Sequence, residues 1–232
     1  MSQEQERIAR AFRAYKDSDA AHGRWSPANR GNQAALRERE DATRRLLGAH
    51  GLIPLGATRV LEVGCGSGGE LARLLDMGAE ASRLVGVDIL ADRIEAGHAL
   101  HPDLDLRAMN AERLDLQDSE FDLVMAITLF SSILDQDMAR RVAQEITRVL
   151  KLGGRLLWYD FRYSNPRNPD VRGVTANDVH ALFPSMRGEL TAITLLPPLS
   201  RRLGPLTPVL YPALSMVPRL RTHLLGILQR GA

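Results

Sequence analysis

The sequence has a single cysteine, Cys65, among its 232 residues. No intrachain disulfide and no cysteine-based metal site is open to it, and this usage suits a reducing, cytoplasmic setting. Lysine is scarce too: of 30 basic residues only Lys16 and Lys151 are lysine. That arginine bias reads as the coding preference of a GC-rich, bacterial genome rather than as chemistry. No run of 18 apolar residues occurs, so no transmembrane span is expected. The polar start, Met1 to Asp19, has no apolar stretch of the secretory-signal kind. A net charge of +2 gives no general reason to expect a nucleic-acid partner. No His, Asp and Glu set has metal-site spacing, so no metal is expected. Acid runs out early: from Leu190 to Ala232 there is no Asp or Glu, while Arg201, Arg202, Arg219, Arg221 and Arg230 remain. What is present is the balance of a globular chain, 44% hydrophobic and 25% charged, long enough to bury a core without staples.

The pattern begins with helices. Residues 3–16 put Ile8, Ala11, Phe12 and Tyr15 on one helical stripe. Residues 17–31 read as a loop, and Asn32–His50 as a polar helix punctuated by Gly51 and Pro54. Strands and helices then alternate. Strands are expected at 59–63, 84–88, 104–108, 121–127 and 155–161, and helices at 70–77, 91–100 and 135–150. The third strand, with alternating Asp103, Asp105 and Arg107, should be a half-exposed edge. The Asp135 helix should close at Gly153-Gly154. Such alternation implies an α/β fold with a parallel sheet covered by helices on both faces. A short helix at 175–183 and two last strands, 189–196 and 222–229, follow. The expected organisation is an N-terminal helical cap, 1–50, and an α/β domain, 51–232, carrying an insert at 197–221. Six prolines in that insert exclude one long helix.

The sharpest motif is VLEVGCGSGGEL, 60–71, in which glycines follow a strand and open a helix. Such a turn brings backbone N–H groups close to a ligand. Gly64, Gly66 and Gly69 satisfy G-x-G-x-x-G, so a dinucleotide site, and with it a nucleotide-dependent oxidoreductase, is one reading. Asp88, 19 residues past Gly69, stands where a carboxylate accepts both hydroxyls of a ribose. Glu62 separates the alternatives. A carboxylate two residues before the first glycine repels a pyrophosphate and welcomes an ammonium, which S-adenosylmethionine carries.

The chain resembles class I S-adenosylmethionine-dependent methyltransferases. VLEVGCGSGGEL resembles their first motif, GVDIL (86–90) the acidic second, and MNAERL (109–114) the adenine loop. FDLVMAITLFSSIL (121–134) resembles the fourth strand and its exit, and ITRVLKLGGRLLWYDF (146–161) the helix-turn-strand that follows. The resemblance implies a Rossmann-like, seven-stranded, mostly parallel sheet ordered 3-2-1-4-5-7-6 with an antiparallel last strand. It implies S-adenosylmethionine as cofactor, with Gly64, Cys65 and Gly66 beside the methionine part, Asp88 on the ribose and Ile89 on the adenine face. It places Asn110, Ala111 and Glu112 at the adenine edge, and Thr128 near the sulfonium. Asn110 stands where the family often has Asp, and Leu152 where it usually has Pro. A lone small residue that fits its loop is the bland reading of Cys65. In related enzymes leading helices fold over the cofactor, so Tyr15, Trp25 and Asn29 are expected in a lid.

The acceptor side is read from the segment leaving the fifth strand, WYDFRYSNPRNPDVRG (158–173). Its hydrogen-bonding groups and arginines suit a small polar acceptor, anionic or lipid-linked. Tyr159, Asp160, Tyr163 and His22 are the candidate general bases; His223 reads as structural. The combination resembles small methyltransferases of bacterial polysaccharide and glycolipid gene clusters, which implies methylation of a hydroxyl on a sugar, glycolipid or other secondary metabolite. A non-catalytic S-adenosylmethionine-binding protein is the remaining alternative. Apolar groups beside unopposed arginines in the 197–221 insert also suit an amphiphile or peripheral contact with a membrane.

Overall fold

Strands β1 (Val60–Val63) and β2 (Leu84–Asp88) are buried at every position, as expected of central parallel strands covered on both faces. They sit in a computed structural model that describes residues 2–16 and 26–231. With β3 (Asp105–Ala108), β4 (Phe121–Ile127), β5 (Leu150–Phe161), β6 (Met186–Leu195) and β7 (Arg221–Arg230) they form one sheet, ordered β3-β2-β1-β4-β5-β7-β6. The first five strands run parallel; β7 lies antiparallel to both β5 and β6. This is the expected order. The edge strand β3 is half-exposed, burying Leu106 alone, also as expected.

Helices cover both faces. Over one lie α1 (Gln3–Lys16), α5 (Gln136–Val149) and α6 (Ala176–Leu182). Helix α5 is capped by Asp135, whose side chain accepts from the Asp137 and Met138 N–H groups, and buries Met138, Val142, Ile146 and Val149 at helical spacing. Under it, Phe130 stacks on Trp158 at 5.0 Å and Phe183 closes edge-on at 5.8 Å. Over the other face lie α2 (Arg30–Ala49), α3 (Gly69–Leu75) and α4 (Ala91–Leu100), packing Leu47, Leu71, Leu74 and Ile94. The two N-terminal helices therefore do not form one cap over residues 1–50: Ile8 of α1 belongs to the first core and Leu47 of α2 to the second.

Two strands start earlier than the sequence suggests, and the insert is more regular. Strand β5 starts at Leu150, because the Gly153 turn (φ +72°) is absorbed as an irregularity in its pairing with β4. Strand β6 starts at Met186, its polar residues Arg187 and Glu189 facing solvent at the sheet edge. The insert is not irregular throughout. It holds a helical turn, Pro197–Ser200, and a nine-residue helix, α7 (Thr207–Ser215). Pro208 falls in the first turn of α7, where its missing N–H leaves nothing unsatisfied.

The insert packs on α2. A Cβ on Gly31 would stand 2.1 Å from the Ser200 carbonyl oxygen, so only glycine allows this approach. Asn29 caps α2 by accepting from the Gly31 and Asn32 N–H groups, and its Nδ2 donates to the Arg201 carbonyl at 3.2 Å. Expected in a lid, Asn29 instead joins helix to insert. Among the described residues no helix is long and apolar enough to cross a membrane, and no cluster of three His, Cys, Asp or Glu is placed to hold a metal ion.

Candidate active site

Strand register brings the motifs together. Val63 pairs with Val87 on one side and Ala126 on the other, so β1, β2 and β4 end at one level. The strand order reverses at β1, and the crevice beyond such a point is where open α/β sheets bind ligands. Gly64, Asp88, Ile89, Asn110, Ala111 and Thr128 line one cleft there.

The glycine loop is a tight cradle. Gly64, Gly66 and Gly68 all have positive φ, at +78°, +56° and +79°. The N–H groups of Gly64 and Cys65 both donate to the Val87 carbonyl, at 2.8 and 3.0 Å. Asp88 pins the next turn: Oδ2 accepts from Gly66 N–H at 2.8 Å and Oδ1 from Leu90 N–H at 2.9 Å. Each oxygen keeps a further lone pair for a ligand hydroxyl. Thr128 is the cleft's strained residue, a β-branched side chain at φ +51°, held by its N–H to the Tyr159 carbonyl at 2.7 Å.

Glu62 is 2% exposed, and its Oε2 has no hydrogen-bond partner among the described residues. Burial, then the nearby Glu70, pushes its carboxyl well above the usual range. Cys65 packs its thiol into the second core, and burial drives its pKa upward, away from nucleophilic character.

Opposite this wall lie residues that the sequence pattern did not single out for a site. Ile8 and Phe12 of α1 line the cleft, and so does Arg93. The Arg93 guanidinium stands 3.6 Å from Asp88 and 5.1 Å from the centre of the Phe12 ring. The sequence signals for α1 were its apolar stripe and the resemblance, which implies leading helices over the cofactor; nothing marked Arg93. Polar contacts anchor that helix. Glu4 accepts from Leu134 N–H at 2.6 Å, Arg7 donates to the Ser132 carbonyl at 2.6 Å, and Gln5 donates to Glu112. Glu112, expected at the adenine edge, is thus engaged by Gln5 and by Arg141 at 2.7 Å. Asn110 accepts from the Glu112 N–H at 2.9 Å.

Two of the base candidates are closed off. Tyr159 faces the second core, its hydroxyl 2.9 Å from Thr194 Oγ1 and its ring stacked on His223 at 4.7 Å. Burial raises its pKa to about 12. Asp160 is 1% exposed and accepts from the Ser131 and Phe161 N–H groups at 2.9 and 2.8 Å. It pins the turn after β4, and burial lifts its pKa to about 6. Neither presents an atom to the cleft, because successive residues of a strand covered on both faces point into one core and then the other. Tyr163 is 43% exposed, with the Arg162 guanidinium 4.6 Å over its ring. His22 and Trp25 lie outside the described residues, as does the side chain of Tyr15. His223 is buried between Tyr159 and Phe161, and burial lowers its pKa to about 3.

Residues 60–154 match the family described as a methyltransferase domain. This region is a class I, S-adenosylmethionine-dependent methyltransferase domain. The match removes the oxidoreductase alternative for the glycine loop. Over 116 residues the chain is 32% identical to a sterol 4-C-methyltransferase of Caenorhabditis elegans, covering 47% of this chain and 33% of that protein. Over 115 residues it is 36% identical to a phthiotriol/phenolphthiotriol dimycocerosates methyltransferase of Mycobacterium ulcerans, covering 49% and 41%. The chain thus spans well under half the length of these relatives. Its fold is similar to the N-methyltransferase NodS of Bradyrhizobium japonicum WM9 in complex with S-adenosylhomocysteine, with TM-score 0.67, 15% identity and coverage of 97% and 99%.

The residues of the methyltransferase domain fit this cofactor. A buried carboxyl with an unpartnered oxygen is costly, and the ammonium of the methionine part would complete it. Asp88 would hold the ribose. Below its raised value Glu62 keeps its proton. That neutral form stabilises the free protein fully below the ordinary carboxyl range, and the contribution is lost as pH rises through the raised value. An ammonium favours the carboxylate, so S-adenosylhomocysteine binding at mildly acidic pH is expected to release a proton. Calorimetric heats should then differ between buffers of high and low ionisation enthalpy, and Glu62→Gln should abolish the difference. Equal heats for the unaltered protein would place the ammonium elsewhere.

Proposed function

We propose that the protein transfers a methyl group from S-adenosylmethionine to a hydroxyl of a small polar acceptor, a sugar, glycolipid or other secondary metabolite. The observation that carries the donor half is the pair of acids at the glycine loop, unpartnered Glu62 and ribose-level Asp88. The cofactor supplies a methyl on a sulfonium, already bearing a good leaving group. The chain's part is alignment, worth several orders of magnitude in rate, and exclusion of water. Thr128 and Gly64 would set the position of the reacting end, with α1 closing over it through Ile8 and Phe12.

The acceptor half is supported by the segment after β5. Asn165 and Asn168 accept from the Arg167 and Asp170 N–H groups and so serve their own loop. Arg162, Tyr163 and Arg167 are left half-buried or exposed at the sheet's C-terminal edge. They suit a hydroxyl-bearing acceptor with an anionic or glycosyl part. Two relatives named for sterol and phthiotriol dimycocerosates substrates favour a lipid-linked one. Of the candidate bases in the described structure, Tyr163 is the one at the surface.

The test is transfer of isotopic methyl from S-adenosylmethionine to separate panels of sugars, glycolipids and amines. Label on a hydroxyl of the first two is expected. Label on amines alone, from protein that binds S-adenosylhomocysteine, would overturn the hydroxyl assignment.

A further inference from the structure

Among the described residues, the insert between β6 and β7 exposes apolar surface as no other segment does. Of the nine large apolar side chains left exposed among the described residues, five, Leu196, Leu206, Val209, Met216 and Val217, belong to it. Val209 and Met216 are 71% and 75% exposed. Seven residues apart, they share one stripe of α7 and its end. The neighbouring stripe, with Pro208, Tyr211 and Ser215, walls a groove of about 520 Å³ whose other wall is α2 with Arg30 and Arg37.

This surface is held open by polar ties beneath it. The Tyr211 hydroxyl donates to Glu38 at 2.7 Å and accepts from Leu195 N–H at 3.3 Å. Arg221 turns inward, donating to the Ser215 and Ala192 carbonyls at 2.5 and 3.3 Å, so it braces the insert. The apolar stripe is therefore fixed in water-facing position, which is unfavourable unless something covers it.

Charge says what covers it. The sequence from Leu190 to Ala232 contains no acid. Arg30, Arg202 and Arg219 are exposed and form no ion pair among the described residues. A second copy seated on the same face would set these arginines against their own counterparts. An anionic, apolar-cored surface answers both features.

We propose that this face docks on an anionic lipid bilayer, with Leu206, Val209, Met216 and Val217 entering the acyl boundary and Arg30, Arg37, Arg202 and Arg219 among the headgroup phosphates. The proposal is independent of the acceptor's identity, since docking requires neither cofactor nor turnover.

Co-sedimentation of the full chain with phosphatidylglycerol vesicles, and with phosphatidylcholine vesicles, tests it. Pelleting with the anionic vesicles is expected at low salt and should weaken as salt screens the headgroups. Neutral vesicles should leave the protein in the supernatant. The joint variant Arg30→Ala, Arg202→Ala, Arg219→Ala should lower partition about 100-fold. Val209→Asp with Met216→Asp should abolish it while S-adenosylhomocysteine binding and the melting temperature stay unchanged. No pelleting with phosphatidylglycerol, equal pelleting with both lipids, or pelleting that survives Val209→Asp with Met216→Asp would overturn the proposal. So would a dimer in size-exclusion chromatography that Val209→Asp dissolves, which would assign the face to a second copy.

Discussion

Gly66→Val is expected to abolish S-adenosylhomocysteine binding in a protein that still folds. Gly66 sits at φ +56°, and its N–H donates to the Asp88 carboxylate at 2.8 Å. A β-branched residue is strained there by about 1–2 kcal/mol, which a domain of ordinary stability survives. The added Cβ would stand 2.1 Å from Arg93 Nη2, in the space between Asp88 and Phe12. Arg93 is flexible and can swing aside, so the fold tolerates the change. A bound nucleoside has no such freedom, because it must reach the same carboxylate. Calorimetry should show no binding at millimolar ligand, and circular dichroism a cooperative melt. Binding of unaltered affinity would mean that the cofactor does not cross this turn.

Trp158→Ala should be the most damaging single change to stability. Trp158 is fully buried in the first core, stacked on Phe130 at 5.0 Å and edge-on to Phe183 at 6.3 Å. Removing it leaves a large cavity between β5 and α6, and such truncations cost about 3–5 kcal/mol. Its neighbour Asp160 holds the turn 130–132 through Ser131, so loosening here also frees the exit of β4 beside Thr128. The expected result is a melting temperature lower by about 10 °C or more, with weakened cofactor binding. A loss under about 1 kcal/mol would show that the aromatic cluster is not the centre of this core.

The parts of the site that were legible in sequence are those fixed by local chemistry. Glycines after a buried strand can only be a turn, and Asp88 at the next strand's end follows from parallel register. Hence six of the expected residues, Gly64, Asp88, Ile89, Asn110, Ala111 and Thr128, line one cleft, while Cys65 turns into the second core and Glu112 is tied to Gln5 and Arg141. Tyr159 and Asp160 failed as base candidates for a reason that the period of two carries: on a strand with both faces covered, adjacent residues enter opposite cores. What engages them, Thr194 near the end of β6 (φ +66°) and Ser131 in the turn after β4, is remote in sequence and left no local mark. Phe12 and Arg93 escaped notice for the same reason. An apolar stripe on α1 says that something is covered, the resemblance points to the cofactor, and the anchoring of Glu4 and Arg7 on the 132–135 turn brings Phe12 to the cleft. The insert's helix was hidden by its prolines: Pro208 falls in the first turn, where a proline is compatible with a helix, and Pro212 lies inside it.

Titration of the purified chain with S-adenosylhomocysteine, with NADH as the control, tests the central claim most directly. One equivalent of S-adenosylhomocysteine should bind and NADH should not, and saturation near 100 times the dissociation constant should raise stability by about 2.7 kcal/mol. A folded sample that takes up NADH, or that shows neither heat nor thermal shift with millimolar S-adenosylhomocysteine, would contradict it.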